Sequence, residues 1–151
     1  MNFALLLEYL QAAFYREALS RDLLRGELRE FAETVAANEE EHIALLRGAL
    51  GRRARSRPTF RFDDVLRSRR AFVRSALTLE DAGVAAYNGQ AANLTKEALL
   101  PALRMVSVEG RHAAWIRDIA GEDPAPLAAD PGLPATEVTS TLRKAGLLRI
   151  R

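Results

Sequence analysis

The sequence predicts an all-α fold: an antiparallel four-helix bundle with one long crossover between the second and third helices, plus a short C-terminal helix. Three observations carry this expectation. Apolar residues recur at helical spacing through four long stretches. The two halves repeat, since Glu8 and Tyr15 recur as Glu80 and Tyr87, both 72 residues on, and Glu39 and His42 recur as Glu109 and His112, both 70 residues on. Finally, the six Glu and His in that repeat fall at one depth only if the chain crosses the bundle between helices two and three.

The first helix is expected from about Phe3 to Ser20, with Asn2 as N-cap. Its inward stripe would hold Ala4, Leu5, Glu8, Gln11, Ala12, Tyr15 and Leu19. The second runs from about Glu27 to Leu50, and Gly51 suits the position just past its end. Residues 51–62 carry Gly, Pro and five Arg and read as a connector. Asp63 or Asp64 would cap the third helix, which reaches about Asn88-Gly89. The fourth begins between Thr95 and Pro101 and ends at Gly121; Pro101 suits only a first turn, which favours a start there. Pro124, Pro126, Pro131 and Pro134 then describe an extended tail. Thr136 would cap a last helix ending near Gly146, whose Val138, Leu142 and Leu147 pack back on the bundle. Residues 1–121 are thus the bundle, and 122–151 a tail belonging to the same domain.

Helix rise tests the crossover. Glu8 and Glu39 lie at similar distances from the first turn, and Glu80 and Glu109 from a turn near Asn93-Leu94. If the third helix simply doubled back, His42 and Glu80 would be mismatched by roughly 12 Å. If the connector crosses the bundle, their levels agree, and a twelve-residue connector can extend about 40 Å.

Composition narrows the chemistry. The chain has 151 residues, 48% of them apolar, enough for one domain with a real core. With no Cys, disulfides, thiolate zinc sites and iron–sulfur clusters are excluded. Glu8, Gln11, Arg16 and Glu17 interrupt any leader-like apolar run, and no stretch of about 18 apolar residues spans a membrane. A cytoplasmic location is expected. The net charge of +2 demands no acidic partner. Arg52 to Arg74 form a basic stretch with Phe60 and Phe62 interleaved, which reads first as a solvated connector and second as a nucleic-acid contact over residues 52–74.

The only two histidines, His42 and His112, each follow a glutamate at i−3, Glu39 and Glu109, on one helical face. Glu8, Glu80 and Glu109 have apolar neighbours one turn away, among them Leu5, Ala12, Leu77, Val84, Met105 and Ala113, and a charge on such a face needs a partner. Two lone Glu and two Glu-x-x-His pairs make the ligand set of a dinuclear metal site in a bundle. Four carboxylates offset two divalent cations, and neutral imidazole adds one borderline ligand to each. Glu8 and Glu80 are expected as terminal ligands, Glu39 and Glu109 as bridges, His42 and His112 as terminal nitrogens. Iron is expected first and manganese second. Tyr15 and Tyr87, two turns beyond their Glu, are candidates to hydrogen-bond a ligand or donate an electron, or are core tyrosines with satisfied hydroxyls. Trp115 reads as packing. Each imidazole is expected to have a further hydrogen-bond partner.

These residues make the chain resemble the ferritin-like superfamily. The set Glu8, Glu39-x-x-His42, Glu80, Glu109-x-x-His112 is similar to the symmetric bacterioferritin type. The segments Asn2-Phe3-Ala4-Leu5 through Glu8-Tyr9-Leu10, Ala13-Phe14-Tyr15, Leu79-Glu80-Asp81 with Ala86-Tyr87, and Ser107 to Trp115 look more like the desiccation-associated ferritin-like proteins, as does the Pro-rich tail. Glu40 stands where bacterioferritins carry a haem-ligating Met, and Gly83 where rubrerythrins carry an extra carboxylate.

The resemblance implies a ferritin-like dimetal-carboxylate protein acting on Fe(II) with O₂ or peroxide, as a ferroxidase or in oxidative stress. Manganese catalase-like disproportionation of peroxide is the alternative, followed by a non-enzymatic stress or desiccation-related protein with a structural metal. A monomer or homodimer is expected.

Overall fold

The computed structural model describes residues 1–150. Five α-helices form: α1 (Asn2–Ser20), α2 (Glu27–Leu50), α3 (Arg69–Gln90), α4 (Lys96–Ala120) and α5 (Ala135–Lys144). The first four make the bundle. α1 and α2 form one hairpin and α3 and α4 the other. Tyr15 meets Glu80 while Tyr87 meets Glu8, so α1 and α3 run antiparallel. Asn38 meets His112 and Phe31 meets Trp115, and His42 meets Glu109, so α2 and α4 are antiparallel too. It follows that α2 and α3 point the same way, which requires the expected crossover.

The connector builds the outer wall of α1. The Asn2 amide donates to Arg53 O at 2.9 Å, and its oxygen accepts from Arg55 N at 3.0 Å. Asn2 is therefore the first residue of α1 and a clasp for the connector, not the cap; Met1 holds the capping position without a side-chain bond. Farther along, the Arg57 guanidinium lies 5.0 Å from the Tyr9 ring centre and donates to Glu40 at 2.7 and 3.0 Å. Phe60 and Phe62 then turn inward, and Phe62 packs edge-on to Phe14 at 5.6 Å. This cover buries Tyr9 and Phe14. Leu7, Leu10 and Ala18 also join the predicted stripe, while Ala4 and Leu19 stay half-exposed.

Two further caps differ from expectation, at α3 and α5, and α4 starts at the early end of its expected range. Asp63 and Asp64 sit in turns, and Ser68 caps α3 by accepting from Ala71 N at 3.2 Å. A tight hydroxyl cap immediately before Arg69 won over a carboxylate several residues upstream. α4 begins at Lys96, so Pro101 is its sixth residue and costs the bond to the Glu97 carbonyl. α5 follows Pro134, and Thr136 lies inside its first turn. α2 and α4 stop at Gly51 and Gly121, both at positive φ.

The tail docks on α3. Leu133 N donates to Ala85 O at 2.9 Å, a carbonyl on the last turns of that helix. A Cβ on Gly89 would lie 2.0 Å from Leu133 O, so this seating requires glycine. α5 packs against α3, with Val138, Leu142 and Leu147 buried as expected. Phe60 pairs with Ile150 in one isolated antiparallel bridge, tying the connector to the C-terminal segment. Among the described residues no helix is long and apolar enough to cross a membrane.

Candidate metal centre

Each helix of the bundle contributes polar side chains to its own interior at one depth. α1 supplies Glu8, α2 Glu39 and His42, α3 Glu80, and α4 Glu109 and His112. All four carboxylates are fully buried, and the imidazoles are nearly so. The i, i+3 spacing turns Glu39 with His42, and Glu109 with His112, onto single faces. The structure thus brings all six sequence-predicted ligands together.

The six side chains form two overlapping groups. One is Glu8, Glu39, His42 and Glu109; the other is Glu39, Glu80, Glu109 and His112. Within each, one atom per residue lies within 4.8 Å of the others. Glu39 and Glu109 belong to both. His42 Nδ1 lies 3.2 Å from Glu8 Oε2, 3.1 Å from Glu39 Oε2 and 3.1 Å from Glu109 Oε1. His112 Nδ1 lies 3.4 Å from Glu39 Oε1 and 3.4 Å from Glu80 Oε2.

The electrostatics of this cluster are severe. Burial, and then the neighbouring Glu39, push the Glu8 carboxyl up from 4.5 to about 8. Burial and Glu8 raise Glu109 to about 7. Burial by itself would lower both imidazoles. Contacts with Glu109, Glu39 and Glu8 outweigh it and carry His42 up to about 12; Glu39 and Glu80 do the same for His112, up to about 10. Protons thus do, in the metal-free chain, what cations would do: they offset crowded carboxylates. Even so, Glu39 Oε1, Glu80 Oε2, Glu109 Oε1 and His112 Nδ1 are buried without a hydrogen-bond partner. Such atoms are costly unless something binds them. Three carboxylate oxygens and an imidazole nitrogen, all facing one interior, fit divalent cations.

Both tyrosines pair crosswise. Tyr15 donates to Glu80 and Tyr87 to Glu8, because a two-turn step along one antiparallel helix reaches the glutamate level of the other. Burial, reinforced by Glu80 for Tyr15 and Glu8 for Tyr87, holds their hydroxyls well above the ordinary value, so both remain O–H donors at neutral pH. Trp115 packs edge-on to Phe31 and donates to Glu27 at 3.0 Å.

Two participants were not assigned these contacts from sequence. The Asn38 amide lies 2.9 Å from His112 Nε2. The atom that faces the ring is the amide nitrogen Nδ2, so this contact fixes the orientation of the imidazole from the side opposite Nδ1. Asn38 precedes His42 by four residues on the same face of α2, which was the available signal. Gln11 donates toward Glu109 Oε2 at 3.3 Å and Glu80 Oε1 at 3.4 Å.

Solvent approaches the cluster through a groove between α2 and α4 of about 400 Å³, lined by His42, Asn38, Arg104 and Arg111 among others. A separate apolar cavity of about 60 Å³ reaches Tyr87 and Met105 from the end of the bundle. In the connector, Arg57 is engaged by Glu40 and Tyr9, and Phe60 and Phe62 face the core. The nucleic-acid expectation for residues 52–74 therefore rests on exposed arginines alone.

A family model described as the ferritin-like domain matches residues 1–122, which cover all four bundle helices and every residue of the cluster. The chain belongs to the ferritin-like domain family. No curated protein matches it.

Proposed function

We propose that this member of the ferritin-like family binds two divalent transition-metal ions, iron before manganese, and uses them in redox chemistry of Fe(II) with O₂ or peroxide. The observation that carries the reading is the set of four buried, unpartnered ligand atoms between the helices. Glu8 and His42 would hold one ion, Glu80 and His112 the other, with Glu39 and Glu109 offering an oxygen to each. Such ions, when bound, supply the electrons that reduce O₂ or peroxide.

The chain's own residues set the conditions for this. Tyr87 and Tyr15 hold Glu8 and Glu80 in place through their hydroxyls. Asn38 orients His112. Cation binding must displace the protons on His42, His112 and Glu8, so it releases protons to solvent. The α2–α4 groove gives small polar molecules a way in beside His42. All four carboxylates are shielded from solvent by the helices, which strengthens every charge interaction there.

Anaerobic loading with Fe²⁺, followed by O₂ or peroxide, tests the function. Oxidation faster than that of free iron, with matching O₂ uptake, is expected. No turnover above free iron would refute the redox role, and metal analysis of protein purified without added metal separates iron from manganese.

A further inference from the structure

Glu8 and Glu80, and Tyr15 and Tyr87, are equivalent pairs 72 residues apart. The same offset pairs Gln11 with Gly83, and there the likeness between the halves fails. One position carries an amide and the other carries no side chain. Gln11 is 2% exposed, and its Nε2 reaches across the bundle to Glu109 Oε2 and Glu80 Oε1. A Cβ on Gly83 would lie 2.7 Å from Glu109 Oε2 and 3.4 Å from Gln11 Nε2. Glu109 Oε2 therefore occupies the space that a side chain at Gly83 would need, with the Gln11 amide packed beside it.

We infer that Gln11 makes the two cation positions unequal, so that the Glu8–His42 position fills ahead of the Glu80–His112 position. This rests on the metal-binding reading above. The amide donates to Glu80, which belongs only to the His112 group, and to the shared Glu109 through the oxygen turned away from His42. A hydrogen bond donated to a carboxylate stabilises the anion and lowers its basicity, hence its strength as a ligand. The Glu8 side gets no such amide, because Gly83 offers none. The two terminal glutamates otherwise match, each holding one tyrosine hydroxyl. Among the carboxylates, the remaining difference in donor strength traces to Gln11. At 3.3 and 3.4 Å these hydrogen bonds are long, and they correspond to an affinity ratio of about fivefold.

The test is an anaerobic Co²⁺ titration of the metal-free protein, read by visible absorption and by paramagnetically shifted proton NMR. The chain has only two histidines, so imidazole signals can be counted. At one equivalent of Co²⁺ the wild type is expected to show both shifted imidazoles in unequal amounts, His42 over His112 by about two to one, since one equivalent divides between two positions as the square root of a fivefold affinity ratio. Gln11→Leu is expected to bring the two affinities closer and to move the two imidazole signals toward equal intensity at one equivalent. Equal population of both in the wild type would overturn the inference, and this measurement needs no variant. A folded Gln11→Leu with the wild-type ratio of the two signals would overturn it too. Failure to bind Co²⁺ at all would overturn the metal-binding reading itself, a result distinguishable from equal filling.

Discussion

Glu8→Gln separates the effect of buried charge from the effect of metal. Glutamine keeps an oxygen to accept from Tyr87 but removes one of four crowded carboxylates. In the metal-free protein at pH 7, folding must return to Glu8 a proton that the unfolded chain has released, because the carboxyl rises from 4.5 to about 8. Between 4.5 and 7 this costs about 3 kcal/mol at ~1.36 kcal/mol per unit. Losing the 3.2 Å contact with His42 gives back about 1 kcal/mol. The variant should be more stable than wild type by about 2 kcal/mol in chelator, or about 4–8 °C in Tm for a chain this size. With metal the order should reverse. Each ion at a hundredfold excess over its Kd adds about 2.7 kcal/mol to a protein that binds it only when folded, and the variant lacks one charged ligand. Paired thermal melts in EDTA and in excess Mn²⁺ provide the assay. A variant less stable than wild type in EDTA would refute the charge-crowding argument, and equal metal-induced shifts would refute Glu8 as a ligand.

Three further outcomes follow from the same geometry. The metal-free protein should lose stability as pH rises, between 4.5 and about 8 through Glu8 and between 6.5 and about 10 to 12 through His112 and His42, since in each case the folded state holds a proton the unfolded chain has released; denaturation midpoints measured from pH 5 to 9 check the sign, and metal affinity should rise over the same range. Tyr87→Phe should cost about 1–3 kcal/mol in chemical denaturation by stripping a buried Glu8 oxygen of its donor, while leaving the number of bound ions unchanged; an unaltered midpoint would contradict that role. Gly89→Ala should unseat the tail, costing about 1–3 kcal/mol and speeding proteinase K cleavage within residues 122–134, because its Cβ would meet the Leu133 carbonyl at 2.0 Å.

The cluster of six side chains was legible because its chemistry and its periodicity agree. A glutamate amid leucines on a helix needs a partner, and the 72- and 70-residue repeats named the partners. The crossover followed from helix rise once the six side chains were required to share one depth. Caps were less legible, since Asn2, Asp63 and Thr136 are good capping residues whose use depends on what lies nearby. Asn2 instead met a backbone more than fifty residues away. The burial of Tyr9 was also hidden, because the connector that covers it is polar and rich in arginine. Gly83 and Gln11 could be placed near the site, but not their complementarity, which is a matter of tenths of an ångström between α1, α3 and α4.

The most direct test is anomalous scattering from crystals of protein purified without added metal. Two cation peaks are expected between the helices, one beside Glu8 and His42 and one beside Glu80 and His112, with Glu39 and Glu109 reaching both. Crystals of the folded protein soaked in Fe²⁺ or Mn²⁺ that show no peak among these six side chains would contradict it.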